Sequence, residues 1–216
     1  MIKQKKLDAA TKKIRKKKCK FCTTEFTPAR PLQTTCSVPC AMNWSVILTN
    51  KKNEKKWRQD KSILKESLMS LTDYEKVLQP LINRITSILD TGQTCISCGG
   101  KGKPQAGHYH PTSTQRKLRF NLLNIWRQDY RCNVELSSNI SGYNYGLINT
   151  FGKDFKEYLE YDIVNQYKDL KLTKEDLKEA IVRARKVLKD LTEEERTNDQ
   201  RLLMRKKLNA EIGLYL

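Results

Sequence analysis

The sequence predicts a mostly helical α+β protein in which small metal-organised segments take the place of one large apolar core. Hydrophobic residues make up only 38% of the 216 residues, which favours small cores and long solvated helices. Apolar residues recur at helical spacing in two long stretches, 74–89 and 177–191. Seven cysteines fall into two groups, at 19–40 and 95–132, and both groups lie in polar segments. Cysteines in such segments are better explained as metal ligands than as ordinary core residues.

The chain begins with a basic stretch, residues 1–18, that we predict to be a flexible arm. The formal net charge is +18, and the basic residues are clustered. Clustered lysine and arginine favour nucleic acid as a partner, because they release counterions from phosphates. The alternative is that the lysines only solubilise exposed helices. One cluster comprises Lys12, Lys13, Arg15, Lys16, Lys17, Lys18 and Lys20, and another comprises Lys51, Lys52, Lys55, Lys56 and Arg58.

No membrane segment is expected from the sequence. It contains no run of about 18 apolar residues that would form a transmembrane helix. The basic N-terminal stretch is not followed by the apolar segment of a secretory signal. We therefore expect an intracellular protein, in which cysteines are more often metal ligands than disulfides.

Residues 19–40 are predicted to form a structural zinc module. Its cysteines are spaced as two tight turns, Cys19-x2-Cys22 and Cys36-x3-Cys40, with 13 residues between them. Each turn aims two thiolates at one ion, and two turns complete a tetrahedral site. The alternative is four buried free cysteines, but the segment is too polar to bury them as ordinary core.

Residues 41–90 are predicted to form a charged helical connector. A second helix within it is expected to begin at Thr72, because Thr72 and Glu75 fit a capping box. Pro80 lies inside the apolar stripe of this helix. Proline there predicts a kink, or a break into two shorter helices.

Residues 91–152 are predicted to form an irregular core around a second zinc ion. The cysteines of this core are Cys95, Cys98 and Cys132, which leaves one ligand open. The candidates for that ligand are His108, His110 and Asp129. Asp129 precedes Cys132 by three positions, as in a tight turn with aspartate in place of one cysteine, and aspartate is a legitimate zinc ligand. We predict Asp129 as the fourth ligand, with His108 as the alternative.

Residues 153–216 are predicted to be C-terminal helices. A helix is expected over 146–168 from its composition. Thr173 and Asp176 fit a capping box for the next helix. A final helix is predicted at about 195–212.

The order of motifs between residues 95 and 152 resembles a known nuclease core. The motifs are Cys95-x2-Cys98, Gly107-His108-Tyr109, Leu118-Arg119-Phe120-Asn121, Asn124-Ile125 and Cys132-Asn133. They are similar to the HNH, or ββα-metal, nuclease core. Together with the N-terminal cysteines, the charged helical middle and the YGLINTFG stretch, they more closely resemble the NinG (also called Rap) recombination proteins of lambdoid phages. The resemblance covers most of the chain.

The resemblance implies a structure-specific DNA endonuclease that acts on branched recombination intermediates such as Holliday junctions. It implies an HNH-like ββα core at 91–152. By position, His108 would be the general base and Asn124 would orient it. The chain departs from the family where Asp129 replaces a cysteine, and where the histidine after the second cysteine turn is missing. Glu135 or Asn139 would then supply an oxygen ligand for catalytic magnesium or manganese, and we favour Glu135, with His108 beside the same ion.

The remaining residues of interest are assigned to DNA contact or to packing. His110 is interpreted as a loop residue. Trp126, Tyr143 and Tyr145 are interpreted as packing residues, although the two tyrosines have the alternative of stacking on unpaired bases. The predicted DNA contacts are Lys16, Lys17, Lys18, Arg116, Lys117 and Arg119.

Two other functions remain open at this point. One is a zinc-organised DNA-binding recombination protein that does not cut. The other is an adaptor whose basic charge tethers a protein partner to DNA. If the chain is a phage or prophage product, we expect it in the bacterial cytoplasm. A homodimer would be required for symmetric cutting of a junction.

Overall fold

The structure is a computed structural model that describes residues 15–215. Most of the predicted basic arm, residues 1–14, lies outside the described residues. The chain divides into two compact units, Met1–Leu68 and Met69–Leu216. The connector predicted at 41–90 is therefore divided between the two units.

The first unit contains a small two-stranded sheet and one long helix. Strands β1 (Lys17–Lys18) and β2 (Glu25–Phe26) pair antiparallel. Because Lys17 and Lys18 lie in β1, the predicted arm ends before them. Helix α1 (Val38–Leu68) has 31 residues and buries none of them, as expected for a charged, solvated helix.

The second unit is built from an antiparallel hairpin enclosed by helices. Its strands are β3 (Pro104–His108) and β4 (Ile125–Asp129). Its helices are α2 (Leu71–Leu89), α3 (Ile140–Phe151), α4 (Lys153–Glu157), α5 (Ile163–Gln166), α6 (Lys174–Asp190) and α7 (Asn198–Ile212). Short 3-10 turns lie at Arg116–Leu118 and Leu122–Asn124, and π-helical turns at Arg131–Glu135 and Tyr158–Asp162. None of the helices within residues 15–215 is both long and apolar enough to cross a membrane.

The hairpin separates two apolar clusters because successive side chains of a strand point to opposite faces. On one face, Ile125 and Ala106 pack with the apolar stripes of α2 and α6. On the other face, Trp126 packs with Tyr143 and Leu147 of α3. Trp126 and Tyr143 are fully buried, which confirms their interpretation as packing residues.

The start of α2 differs from the prediction. The capping box is formed by Ser70 and Asp73, not by Thr72 and Glu75. The Ser70 side chain accepts from the Asp73 amide, and Asp73 Oδ2 accepts from the Ser70 amide at 2.9 Å. Glu75 instead turns inwards and is only 5% exposed, because two arginines bind it there. Pro80 does not break α2, which runs on through Leu89.

The helices after the core are only partly as predicted. The helix expected over 146–168 begins earlier, at Ile140, where the Asn139 side chain caps it. It is interrupted at Gly152, whose φ of +87° suits glycine. The capping box of Thr173 and Asp176 is confirmed. The final helix begins within three residues of its predicted start.

Candidate metal centres and active site

Four cysteines of the first unit converge on one point. The sulfur atoms of Cys19, Cys22, Cys36 and Cys40 all lie within 4.8 Å of one another. The Cys36 sulfur is 3.5 Å from that of Cys22 and 3.6 Å from that of Cys40. Tetrahedral zinc with ordinary zinc–sulfur bonds separates its sulfurs by about 3.8 Å. The cluster is therefore compatible with structural zinc.

The close packing of these thiols shifts their pKa values in opposite directions. Burial raises the pKa of Cys19, but backbone hydrogen bonds from Cys22, Cys36 and Phe21 outweigh burial and lower it to about 6. The pKa of Cys36 is raised to about 12 by its contacts with the Cys22 and Cys40 thiols and by burial. Four neighbouring thiols cannot all ionise without a compensating charge, which a zinc ion would supply.

Three cysteines of the second unit form the other cluster. The sulfurs of Cys95, Cys98 and Cys132 lie within 4.8 Å of one another. Cys95 and Cys98 sit in a tight turn in which the Gly99 amide donates to the Cys95 carbonyl at 2.8 Å. Asn139 Nδ2 lies 3.5 Å from the Cys132 sulfur. Asn139 thus supports this cluster, and the alternative of Asn139 as an oxygen ligand of a catalytic ion is not favoured.

Asp129 lies beside this cluster but is not a member of it. Its Oδ2 atom is 3.9 Å from the Cys98 sulfur and accepts from the Gly102 amide at 3.0 Å. Its Oδ1 atom is buried and has no hydrogen-bond partner in the described residues. A buried carboxylate oxygen without a partner is unfavourable. Neither carboxylate oxygen of Asp129 lies within 4.8 Å of all three sulfurs, so Asp129 as the fourth zinc ligand stays a prediction.

Neither histidine joins the second cluster. His108 pairs with Ile125 in the hairpin, whereas Asp129 pairs with Pro104, four residues away. That separation corresponds to about 13 Å along the strand. His110 Nε2 binds the Leu159 carbonyl at 2.6 Å instead. The alternative of His108 as the fourth zinc ligand is therefore wrong for this fold, and His110 is a structural loop residue.

His108 is held in one defined state. Its Nε2 atom lies 2.9 Å from the backbone oxygen of Arg119. A carbonyl only accepts, so Nε2 carries the proton and Nδ1 keeps its lone pair. Nδ1 has no hydrogen-bond partner in the described chain. Burial lowers the pKa of His108, the Arg119 carbonyl partly raises it, and the positive charge of Arg119 lowers it further. The ring is consequently neutral at pH 7.

Asn124 fixes the backbone around His108 without touching its ring. Asn124 is fully buried. Its Oδ1 accepts from the His110 amide at 2.8 Å, and its Nδ2 donates to the carbonyls of His110 and Leu118, each at 3.2 Å. The Asn124 side chain therefore links the backbone at Leu118, just before Arg119, to the backbone at His110, just after His108.

Two of the predicted DNA contacts are engaged within the fold. Arg116 and Arg119 both bind Glu75, with Arg116 Nη2 at 2.6 Å and Arg119 Nη1 at 3.2 Å. Arg119 also donates to Gln79 at 2.9 Å. The Glu75 carboxylate compensates one of the two positive charges. These contacts anchor the loop that carries the Arg119 carbonyl. The Arg116 side chain remains 60% exposed and that of Arg119 23% exposed, so their assignment as DNA contacts stays a prediction.

The lysines assigned to DNA contact are exposed. Lys16, Lys18 and Lys117 are solvent-accessible. The Lys17 ammonium donates to the Pro31 carbonyl at 2.5 Å. Lys17 is exposed as well, so all four side chains are accessible to a polyanion.

Helix α7 and the chain after it hold the same loop from the other side. The Tyr215 hydroxyl donates to the Lys117 carbonyl at 2.8 Å and accepts from the Phe120 amide at 3.2 Å. Asn209 Oδ1 accepts from the Leu122 amide at 2.9 Å. The sequence carries no local signal for these contacts, because their partners lie 87 to 98 residues apart.

A buried ion cluster joins α7 to α2 and to the hairpin. Asp90 binds Arg201 and Arg205, each at 2.8 Å, and none of the three is exposed by more than 4% at its side chain. Asp90 Oδ2 also accepts from the Arg127 amide at 2.9 Å. The Arg205 guanidinium stacks 3.7 Å above the Trp126 ring. Sequence reasoning missed this cluster.

Two predicted site residues lie apart from the others. Glu135 is exposed, and within residues 15–215 only the two cysteine clusters bring three or more metal-ligating side chains together. Neither His108 nor Glu135 belongs to such a group, and their assignment to a catalytic divalent ion stays a prediction. Tyr145 is 70% exposed, so its interpretation as a packing residue is wrong.

Comparison with known proteins shows which family the sequence matches. The sequence model for the family described as Bacteriophage Lambda NinG protein matches residues 11–195. The chain is 30% identical over 163 residues to protein ninG of Escherichia phage lambda, across 67% of this chain and 80% of that protein. It is 29% identical over 197 residues to protein ninG of Salmonella phage P22, across 83% and 95% of the two chains. No solved structure matches.

Proposed function

The chain belongs to the bacteriophage lambda NinG family, and on that premise we propose that it is an endonuclease of phage recombination that hydrolyses branched DNA such as Holliday junctions. One observation carries the proposal. The half-buried His108 has its Nε2 proton directed at the Arg119 carbonyl, which leaves the Nδ1 lone pair free. A neutral imidazole of fixed tautomer is the arrangement that a general base requires.

The proposed chemistry uses few groups. Nδ1 of His108 takes a proton from a water molecule, and the water oxygen attacks the phosphorus of a phosphodiester. The bond from phosphorus to the leaving sugar oxygen breaks, and that oxygen takes a proton from solvent. General-base assistance of this kind is worth about 10²–10⁴-fold in rate. Asn124 and Arg119 act as positioning residues, because they hold His108 through the backbone.

Magnesium or manganese is part of the proposal as a cofactor bound together with the DNA. Such an ion, when bound, stabilises the charge that develops on the phosphate. The described residues offer no preassembled site of three or more ligands for it, because Glu135 is exposed and neither Glu135 nor His108 belongs to such a group. No step is therefore assigned to the ion, and dependence on it is a matter for experiment.

The charge of the protein supports DNA as the partner. The net charge is +18, and Lys16, Lys18 and Lys117 are exposed. The long helix α1 adds a second cluster of exposed lysines. Binding through these groups would be sequence-independent and steeply salt-dependent, as suits a protein that recognises a DNA shape. The proposed setting is the bacterial cytoplasm, and a homodimer is proposed for symmetric cutting.

A second function is favoured by the exposed position of Glu135. A chain without a gathered divalent-ion site can bind branched DNA through its zinc-organised fold without cutting it. An adaptor would bind a protein partner and use its basic charge only to tether that partner to DNA. Cleavage separates the first function from the others, and DNA binding that weakens steeply with salt separates the DNA-binding protein from the adaptor.

The test is a strand-cleavage assay on a four-way junction and a linear duplex, with magnesium, manganese or EDTA. Wild type is compared with His108→Ala and with the matched control His110→Gln, which removes the other histidine but retains a donor for the Leu159 carbonyl. We expect metal-dependent cutting of the junction by wild type and by the control. His108→Ala should bind the junction and retain its zinc but not cut. Junction binding by wild type without any cleavage would replace the nuclease by the DNA-binding function.

A further inference from the structure

A polar cleft lies between α2 and the hairpin, separate from both cysteine clusters. Its volume is about 290 Å³, and its walls include Asn83, Thr86 and Ser87 of α2 and Arg127 of β4. Arg127 pairs with Ala106, and the adjacent pair on the same face of the hairpin is Ile125 with His108. Two residues along a strand correspond to about 7 Å, so the cleft adjoins the face that carries His108.

Two buried donors that face this cleft have no partner in the described residues. They are the hydroxyl of Thr86 and the Nε–H group of Arg127. Thr86 is only 1% exposed, so bulk water does not solvate its hydroxyl. Leaving such a donor unpaired costs free energy that a bound ligand would recover. Two orphan donors on opposite walls of one cleft indicate that something accepts from both.

The Arg127 backbone is fixed, which makes its side chain a defined donor. Its amide donates to Asp90 Oδ2 at 2.9 Å, and its carbonyl accepts from the Ile96 amide at 2.9 Å. Its guanidinium has no carboxylate partner within residues 15–215. The other arginine of the cleft wall, Arg84, is paired with Glu193.

The hydrogen-bond donors and the charge of the cleft favour an anionic ligand. The Asp90 carboxylate in the wall is already bound by Arg201 and Arg205, so it does not repel an anion strongly. Asn83 Oδ1 accepts from Gln79 at 2.8 Å, which leaves the Asn83 amide protons as further donors. A group with several oxygens and negative charge matches a hydroxyl, an amide and a guanidinium together.

We propose that this cleft binds a phosphate group, with Arg127 and Thr86 as its main donors. The phosphate can come from the DNA backbone or from a free phosphate compound, and the two sources present the same chemistry to the cleft. The proposal goes beyond endonuclease activity and does not depend on it, because phosphate binding is measured without cleavage.

The first experiment titrates the zinc-loaded full chain with inorganic phosphate and follows the Arg127 Nε–H resonance by ¹H–¹⁵N NMR. The variants are Arg127→Gln and Thr86→Val. Thr86→Val is isosteric and removes only the hydroxyl, so it should not unfold the protein. The matched control is Arg185→Gln, which removes one exposed positive charge from α6. We expect saturable shifts at Arg127, about tenfold weaker binding in each cleft variant, and no change in the control.

The second arm identifies the source with a short four-way junction in EDTA, where no cutting occurs. Shifts at Arg127 with junction DNA, reversed by excess inorganic phosphate, assign the cleft to the DNA backbone. Saturable shifts with phosphate alone, unaffected by DNA, assign it to a free phosphate compound. If neither probe moves the Arg127 resonance, or if the cleft variants bind phosphate as well as Arg185→Gln does, the proposal is overturned. A failure of cleavage would leave these readouts intact.

Discussion

Nε2 of His108 and the backbone oxygen of Arg119 are 2.9 Å apart, and this hydrogen bond decides which nitrogen of the ring is free to react. The bond also makes the loop around Arg119 part of the proposed active site. Glu75 holds that loop through the Arg119 side chain, and Tyr215 holds it through the backbone on both sides. The reactivity of one imidazole thus depends on the Arg119 loop and on the two distant segments that hold it.

We predict that the acidic limb of the cleavage profile reports His108. Burial lowers the His108 pKa below the ordinary value of 6.5. A protonated ring cannot accept a proton, so kcat/KM should fall tenfold per pH unit below that lowered pKa and level off above it. Folding stability should decline in the same direction, because the unfolded chain protonates His108 first as the pH falls. The measurement is a pH–rate profile with NMR titration of the ring. An acidic limb centred above pH 6.5 would contradict this assignment.

We predict that Tyr215→Phe lowers cleavage far more than DNA affinity. Burial raises the pKa of Tyr215, so its hydroxyl remains a donor across the assay range. Its loss frees the loop on both sides of Arg119, and a misplaced base costs about 10- to 100-fold in kcat. The Kd for junction DNA should be unchanged, and the acidic limb of the pH profile should shift. Tyr145→Phe is the control, because Tyr145 is 70% exposed. A rate loss that only matches the fraction of unfolded protein would reduce Tyr215 to a packing residue.

We predict two zinc ions per chain, with different sensitivities to mutation. Asp129→Ala should weaken the second zinc by at least about tenfold, because it removes the carboxylate beside Cys98. Asp129→Cys should retain that zinc, and Cys36→Ser should release only the first ion. Metal content and competition with a chromogenic chelator measure each case. Full retention of both ions by Asp129→Ala would show that water or another group completes the second site.

We predict that Glu75→Gln destabilises the second unit by about 1–3 kcal/mol. Glu75 is 5% exposed and accepts from both Arg116 and Arg119, so its neutralisation leaves two guanidinium groups without a carboxylate. Urea unfolding at equilibrium measures the change. Glu54→Gln provides the comparison, because Glu54 forms an exposed pair with Arg58 that contributes little. Equal stability of the two variants would mean that solvent already screens the Glu75 cluster.

Sequence reasoning succeeded where the determining residues are close together in the chain. The cysteine spacings predicted both clusters, and Thr173 with Asp176 predicted the start of α6, because such signals act within a few residues. It failed where the partners are distant. No residue near Glu75 in the chain indicates that it binds Arg116 and Arg119, about 40 residues away. Local sequence instead favours a capping box of Thr72 with Glu75. The spacing predicts Asp129 beside the second cluster. That its Oδ1 atom is buried without a hydrogen-bond partner follows only from the structure.

The buried ion pair of Asp90 with Arg205 limits where the second unit can be truncated. The two residues lie 115 positions apart in the chain. A long loop must therefore close before Arg205 can neutralise the buried Asp90 carboxylate. We expect slow, all-or-none folding for this reason. The match to the family's sequence model ends at residue 195, ahead of both arginines. A fragment trimmed to that region would keep an interior carboxylate and lose both of its cations, at a cost of several kcal/mol. The region that matches the family model is therefore shorter than the segment that the second unit needs to fold.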